Sequence, residues 1–333
     1  MNFLADYGLF AAKWFTVIAT VLLAAGALLA LLAAQRRHGQ TVPLEVKKLN
    51  DKYLAMAMTL RASVLPPRAL KRALKEEKHA RRAREERDED APRPRVFVCN
   101  FKGDMRASAV SDLREVITAI LTVGRTEDEV VAVIESPGGT IHGYGLAASQ
   151  LARVRERGIP LTVAVDKVAA SGGYMMACVA DRIIAAPFAI LGSIGVIAQI
   201  PNFNRLLRKH DIDFEQLTAG RYKRTLSLFG ENTPEGRAKF QEEIEEAHGL
   251  FKEFVHEHRP VVDVEAIATG EHWFGRRALE LKLVDALQTS DDYLALRAAD
   301  ADVFEVSCAR RKPLLERLLG PSMRHLEDLR TGL

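Results

Sequence analysis

The chain has 333 residues, of which 48% are hydrophobic and 27% are charged, a balance typical of a globular protein with a sizeable core. Its formal net charge of +3 is too small to indicate a general affinity for nucleic acid, and no nucleic-acid partner is expected. Cys99, Cys178 and Cys308 are odd in number and widely spaced, so they predict neither a disulfide framework nor a zinc site. No metal or cofactor is expected.

The N-terminus carries a long uncharged segment. Trp14 to Ala34 are 21 consecutive positions without a charge, and a helix of that length spans about 32 Å, enough for a bilayer core. A cleaved signal peptide would need a basic start and a shorter apolar region, whereas Asp6 precedes this run. The pattern favours a single-pass membrane anchor over residues 1–35, with the lipid bilayer as a partner.

A charged segment follows the anchor. From Arg68 to Asp90, nine Lys/Arg and seven Asp/Glu residues are interleaved with Ala and Leu, which predicts a solvated helix. A lipid-surface role for its basic residues is the alternative. The two prolines between Ala91 and Arg95 break any helix and predict a linker. Residues 36–95 are therefore predicted to be a helical stem and linker in front of a domain over residues 96–333.

The region from residue 96 onward alternates between strand-like and helix-like segments. Strands are predicted at Val96–Phe101, Val130–Ile134, Leu161–Val165 and Asp181–Ala186. Helices are predicted from Val110 to Leu121, from the turn after Gly139 to about Arg157, and from Thr233 to His258. Val130–Ile134 is apolar throughout, as expected for a sheet covered on both faces. The alternation of strands with helices predicts a layered α/β domain.

Two turns could carry chemistry. Glu135-Ser-Pro-Gly-Gly-Thr140 directly follows a strand, and its glycines could present backbone N–H groups to the oxygen of a tetrahedral intermediate. Ser171 lies in Ala-Ala-Ser-Gly-Gly, a small-residue strand-to-helix turn in which a nucleophile could be exposed. The alternatives are an ordinary turn for the first segment and a helix-capping serine for the second.

A third segment, Gly220-Arg-Tyr-Lys-Arg224, contains a candidate base. A serine hydroxyl needs an activating base, and a lysine can serve only as the neutral amine, which burial and nearby cations favour. The alternative for Lys223 is a solvated surface lysine.

Taken together, these segments resemble the signal peptide peptidase (SppA) family of serine–lysine proteases, and its SohB-like branch in particular. The matching stretch runs from about Phe97 to Leu287, in which Ser171 and Lys223 lie 52 positions apart (223 − 171), an interval that suits the single-domain members. Besides the three segments above, it includes Phe101-Lys-Gly-Asp104, Gly192-Ser-Ile-Gly-Val196, Ala268-Thr-Gly-Glu-His-Trp-Phe-Gly275 and Leu283-Val-Asp285.

The resemblance implies a role for each site residue. Ser171 would attack the peptide carbonyl, while Lys223 would take its proton and later donate one to the leaving amine. Ser193 would hydrogen-bond Lys223 and orient it. The backbone N–H groups of Gly138 and Gly172 would form the oxyanion hole.

The resemblance also implies a ClpP/crotonase-type fold of repeated strand-strand-helix units. Its substrates would be polypeptides, such as signal-peptide remnants or unfolded, membrane-derived chains. A homo-oligomeric ring or dome would enclose the active sites, with the dyad within or between subunits. A location in the bacterial inner membrane is expected. Basic residues after the anchor favour a cytoplasmic catalytic domain, whereas larger relatives face outward, so its side stays open.

Three alternatives remain. His142 follows the Gly-Gly turn and could be the base for Ser171, although its place at a predicted helix start favours a structural role. A crotonase-like acyl-CoA enzyme would share the fold and the oxyanion amides, but it does not need a lysine paired with a serine. A catalytically silent membrane scaffold would not need to retain both Ser171 and Lys223.

Overall fold

The structure, a computed structural model, describes residues 8, 10, 12–24, 26, 44–90 and 93–309, with the backbone alone for residues 80–90. The chain divides into two units, Met1–Pro43 and Leu44–Leu333. In the first unit, residues 12–24 are helical. No helix among the described residues has the length and apolar character needed to cross a bilayer. Of the predicted anchor over residues 1–35, residues 1–7, 9, 11, 25 and 27–35 lie outside the described residues.

Two sheets organise the second unit. The larger sheet has seven strands, in the spatial order β1 (Leu44–Lys48), β10 (Asp302–Cys308), β2 (Arg95–Lys102), β3 (Glu129–Glu135), β4 (Leu161–Val165), β6 (Arg182–Ala185) and β9 (Ala286–Leu287). β1 is antiparallel to β10, and the other neighbouring pairs are parallel. The smaller sheet has the order β5 (Val168–Ala170), β7 (Ile190–Gly192) and β8 (His272–Phe274).

Helices connect most of these strands. They are α1 (Leu49–Val64), α2 (Pro67–Asp90), α3 (Val110–Val123), α4 (Ile141–Glu156), α5 (Gly172–Ala177), α6 (Asn204–Lys209), α7 (Pro234–His258), α8 (Val264–Ile267), α9 (Gly275–Glu280) and α10 (Ser290–Asp300). The start of α7 follows from its sequence. Thr233 accepts a hydrogen bond from the Gly236 N–H at 3.1 Å, and Pro234 supplies a preset φ at the first helical position.

The strand β3 shows why a central strand of this sheet is almost entirely apolar. Val130, Ala132 and Ile134 belong to one buried core cluster, whereas Val131 belongs to a second. Successive side chains of a strand point to opposite faces, so the two clusters lie on the two sides of the sheet. The predicted mixed α/β fold with a covered sheet is confirmed, and the predicted strand Leu161–Val165 has the observed bounds.

The segment around β1 differs from expectation. The sequence places these residues in the stem, but β1 pairs along its whole length with β10, at the edge of the large sheet. Every β1 residue is exposed, so no alternating apolar pattern marks the strand. Asn50, at the start of α1, donates hydrogen bonds to the carbonyls of Ala298 at 3.0 Å and Ala301 at 2.9 Å. It also accepts one from the Val303 N–H at 2.8 Å.

We expect Asn50→Ala to lower the free energy of unfolding by about 2 kcal/mol, because the side chain makes three hydrogen bonds to backbone groups. Chemical denaturation of the purified protein measures this change. Asp51→Ala is the matched control: Asp51 is exposed in the same helical turn, and its loss should change stability by less than about 0.5 kcal/mol. Equal effects of the two substitutions would contradict the role given to Asn50.

Candidate active site

Ser171 occupies a strained corner between β5 and α5. Its φ is 51° and its ψ is −119°, a conformation that costs a non-glycine residue about 1–3 kcal/mol. Hydrogen bonds on both sides hold this conformation: the Ser171 N–H donates to the Gly192 carbonyl at 2.7 Å, and the Ser171 carbonyl accepts from the Met175 N–H at 2.9 Å. Such a corner projects a nucleophilic side chain from the end of a strand.

Ser193 lies beside Ser171. Because β5 and β7 are parallel and pair Ala170 with Gly192, the two serines are the next residues of neighbouring strands. Ser193 also has a left-handed φ, of 52°, and its N–H donates to the Glu271 carbonyl at 2.6 Å. The structure therefore brings together the predicted nucleophile and the predicted lysine-orienting serine.

The glycine-rich turn after β3 packs directly against Ser171. Gly138 has a φ of 93°, and a Cβ atom there would lie 2.7 Å from the Ser171 Cβ and 2.9 Å from the Gly172 nitrogen. Ser136 ties this turn to β5, because its N–H donates to the Val168 carbonyl at 2.8 Å. Gly138, Ser171 and Gly172 are thus adjacent, as the family resemblance implies.

The Gly138 amide is bonded within its own turn. Its N–H donates to the Ser136 Oγ at 3.1 Å. This bond forms because a serine hydroxyl readily accepts from the backbone two residues later. Within the described part of the chain, no protein hydrogen bond uses the N–H of Gly139 or of Gly172. The amide left available in the turn is that of Gly139.

Lys223 is not part of this cluster within a single chain. It is exposed in the segment between β7 and α7, and its backbone N–H donates to the Gly220 carbonyl at 3.2 Å. Among the described residues, the backbone N–H to Gly220 is the only hydrogen bond found for Lys223, and none joins its side chain to Ser171 or Ser193. The burial expected of a lysine base is therefore absent from the single chain.

The neighbours of Lys223 explain its exposure. Arg221 pairs with Glu235 at 2.6 Å and lies over the Tyr222 ring at 5.1 Å, so it is held at the surface. The surrounding segment leaves many large apolar side chains exposed to solvent. Those more than 40% exposed include Ile197, Phe203, Leu206, Ile212, Phe214, Leu217, Tyr222, Leu228 and Phe229.

His142, the alternative base, is exposed in the first turn of α4. Cys178 is fully buried and its thiol donates to the Met175 carbonyl at 3.3 Å. Burial raises the pKa of the Cys178 thiol, and burial also raises the pKa of Cys99 to about 12, so both stay protonated and unreactive near neutral pH.

Sequence reasoning missed the polar residues beneath the turn. The Ser136 Oγ and the Tyr144 hydroxyl lie 2.6 Å apart, and the Tyr144 hydroxyl donates to the Asp104 carbonyl at 2.8 Å. Both side chains are fully buried. A tyrosine within a helix ordinarily indicates core packing. The available signal was Gly103, where a Cβ would lie 2.3 Å from both hydroxyl oxygens.

The Tyr144 ring also explains why residue 172 is glycine. A Cβ atom at Gly172 would lie 2.3 Å from the Tyr144 Cγ, closer than real contacts allow. Burial raises the pKa of Tyr144, so its hydroxyl remains protonated and can donate. The pKa of Asp104 is below its ordinary value because the Ser108 N–H and hydroxyl donate to its carboxylate.

Two family models match the chain. "Peptidase family S49 N-terminal" matches residues 2–151, and "Peptidase family S49" matches residues 153–304. The chain is 47% identical over 328 residues to a Haemophilus influenzae protein described as "Probable protease SohB", covering 95% of this chain and 92% of that protein. It is 46% identical over 307 residues to a protein with the same description from Buchnera aphidicola subsp. Schlechtendalia chinensis, covering 89% of this chain and all of that protein.

The family matches and the relatives described as proteases identify a serine-type peptidase, here with a mixed α/β fold. The chain belongs to peptidase family S49. Among solved structures, the 1510-N membrane-bound stomatin-specific protease with a substrate peptide is 12% identical and overlaps with a TM-score of 0.41, covering 68% of this chain and 96% of that one. So loose an overlap adds nothing to the assignment.

We expect Gly172→Ala to lower the free energy of unfolding by about 1–3 kcal/mol, because the added methyl collides with the Tyr144 ring. Peptidase activity should fall at the same time, since the collision displaces the backbone next to Ser171. Denaturant unfolding and peptide cleavage measure the two effects.

Gly145→Ala is the matched control. Gly145 lies within α4, and a Cβ there would have no atom within 4 Å. Alanine should therefore leave activity unchanged and raise stability by about 0.5–1 kcal/mol, as expected for Gly→Ala in a helix. A Gly172→Ala protein as stable and active as this control would contradict the close packing of Tyr144 on Gly172.

Proposed function

We propose that this protein is a membrane-anchored endopeptidase in which Ser171 is the nucleophile and Lys223 is the base. The observation that supports it most is the Ser171 corner, with a left-handed φ and the glycine-rich turn packed against it. The Ser171 Oγ attacks the peptide carbonyl carbon, and its proton passes to the neutral Lys223 amine. The resulting ammonium protonates the leaving nitrogen, and water then releases the acyl group from Ser171 by the same route.

The oxyanion of the tetrahedral intermediate needs preorganised donors. We assign them to the N–H groups of Gly172 and Gly139, in place of Gly138, because the Gly138 N–H is already bonded to the Ser136 Oγ. Ser193 orients the Lys223 amine through its hydroxyl. The pairing of β5 with β7 supports this role, because it holds Ser193 next to Ser171.

The dyad forms between subunits of a homo-oligomeric ring or dome. Lys223 is exposed in the single chain and lies in a segment rich in exposed apolar side chains. Leu217 is 95% exposed and Ile197 is 79% exposed, and a segment with so many exposed apolar side chains is a candidate interaction surface. Burial of this segment against a neighbouring copy would bring Lys223 to that copy's Ser171. It would also remove the amine from water, which favours its neutral form.

The element order β4-β5-α5, two strands followed by a helix, supports the proposal of a ClpP/crotonase-type fold. A ring of such domains encloses the sites and admits only extended chains. The substrates are therefore unfolded or membrane-derived polypeptides, including signal-peptide remnants. The uncharged run from Trp14 to Ala34 supports an anchor in the bacterial inner membrane.

Ser171→Ala and Lys223→Ala should each remove nearly all peptidase activity, and Lys223→Arg should fail as well, because a guanidinium keeps its proton. The sharper test mixes the two inactive proteins, Ser171→Ala and Lys223→Ala, after dissociating and reassembling their oligomers. If the dyad crosses subunits, mixed assemblies contain interfaces at which an intact Ser171 meets an intact Lys223, and activity returns. Peptide cleavage after mixing measures this recovery.

Reassembly of either inactive protein alone is the control and should remain inactive. No recovery, with mixed assembly verified by differential tags, would contradict a dyad between subunits. A fully active monomer in light scattering would contradict the need for assembly. If Lys223→Ala kept near-normal activity while His142→Ala lost its activity, the general base would be His142 and not Lys223.

We expect the protein to stay in the membrane pellet after alkaline carbonate washing, because the uncharged run is long enough to span a bilayer. Mass spectrometry of the pelleted protein should recover peptides from residues 1–35. A mature soluble form that starts near Gln35 would contradict the anchor and indicate a cleaved signal peptide.

A further inference from the structure

A directed chain of hydrogen bonds lies beneath the glycine-rich turn. The Tyr144 hydroxyl has one proton, and it donates that proton to the Asp104 carbonyl at 2.8 Å. The 2.6 Å contact between Ser136 and Tyr144 must therefore use the Ser136 proton. The Ser136 oxygen in turn accepts from the Gly138 N–H at 3.1 Å. Each group therefore donates to the next in one direction, from Gly138 to Ser136, from Ser136 to Tyr144, and from Tyr144 to Asp104.

Asp104, the last acceptor in this series of hydrogen bonds, is itself fixed by further hydrogen bonds. The Asp104 carboxylate accepts hydrogen bonds from the N–H groups of Arg106 at 3.1 Å and Ser108 at 2.8 Å. It also accepts from the Ser108 hydroxyl at 2.7 Å. These bonds hold the loop that presents the Asp104 carbonyl, so Tyr144 bonds to a fixed acceptor.

The Gly139 amide lies between two amides, those of Gly138 and Thr140, that both donate hydrogen bonds to protein groups. On one side the Gly138 N–H bonds to Ser136, and on the other side the Thr140 N–H donates to the Met105 carbonyl at 2.9 Å. The Met105 carbonyl also lies so close that a Cβ at Gly139 would be 2.2 Å from its oxygen. With both neighbours held, the Gly139 N–H has little freedom to turn.

Tyr144 reaches the second proposed donor as well. Its ring packs against Gly172 closely enough to exclude a Cβ there, while its hydroxyl holds Ser136. One buried side chain therefore contacts both segments that would supply oxyanion N–H groups.

We propose that Ser136 and Tyr144 are positioning residues of the oxyanion hole, which turn the Gly138 N–H inward and thereby aim the Gly139 N–H at the oxyanion formed on Ser171. This inference rests on the function proposed above. Its effect should be confined to the transition state, because both side chains are fully buried beneath the turn, away from bound substrate.

The test compares the full-length variants Tyr144→Phe and Ser136→Ala with the wild-type protein. We expect kcat for a peptide substrate to fall by about tenfold to a hundredfold, less than the loss of 10²–10³ seen when an oxyanion donor is removed outright. KM should stay within about twofold of the wild-type value. The inhibition constant of a peptide aldehyde, whose adduct with Ser171 carries an oxyanion, should rise by the same factor as kcat/KM falls. The double variant should be little worse than the worse single variant, because both act through one chain of hydrogen bonds.

Tyr293→Phe is the matched control. Tyr293 is also a buried tyrosine, and its hydroxyl bonds to Glu129 at the opposite end of β3 from Ser136. Its loss should lower stability while leaving kcat and the aldehyde inhibition constant unchanged. A folded Tyr144→Phe protein with wild-type kcat would overturn the proposal. The same changes in kcat and KM in Tyr144→Phe and in Tyr293→Phe would overturn it as well.

Amide hydrogen exchange of the wild-type protein provides a test that needs no variant. The Gly138 amide should exchange much more slowly than those of Gly139 and Gly172, and equal exchange of Gly138 and Gly139 would overturn the proposal. Labelling of Ser171 with a fluorophosphonate distinguishes a failure of the proposed function from a failure of the positioning role alone. An unlabelled Ser171 in the wild-type protein overturns the proposed function and this inference together. A labelled Ser171 with an unaltered Tyr144→Phe enzyme overturns only the positioning role.

Discussion

Ser136 is the point at which the two sheets and the glycine-rich turn meet. Its backbone N–H bonds to the Val168 carbonyl, and its own carbonyl accepts from the Ala170 N–H, so the end of β3 is joined to β5. Its hydroxyl holds Gly138 on one side and Tyr144 on the other. Because the Ser136 and Tyr144 side chains are fully buried, their hydrogen bonds are made away from water, where an unpaired polar group would be costly.

The strained conformation at Ser171 depends on the same junction. A left-handed φ persists in a non-glycine residue only where its surroundings require it. Here β5 is held by Ser136 on one edge and by β7 on the other, and the Gly192 carbonyl takes the Ser171 N–H. Ser193 repeats the left-handed φ at the end of β7. Two paired strands thus end in two strained serines, which places their hydroxyl-bearing corners side by side.

Most of the large sheet could be predicted from its sequence because its strands are buried on both faces. Continuous apolar runs such as Val130–Ile134 have few alternatives to a covered strand. The same reasoning fails for β1, in which every residue is exposed and only backbone pairing with β10 defines the strand. It also fails for Tyr144, since helical spacing describes which side chains are buried but not which polar atoms meet beneath a distant turn.

By itself the sequence determined the family, the covered α/β sheet and the small-residue turns at Gly138 and Ser171, because these features depend on local residue types and their order. The tertiary structure alone decided that the Gly138 N–H points to Ser136 and that Ser193 lies beside Ser171. It also decided that Lys223 is exposed in the single chain. Those facts depend on the direction of individual bonds and on contacts between residues far apart in the chain. No local pattern encodes such contacts.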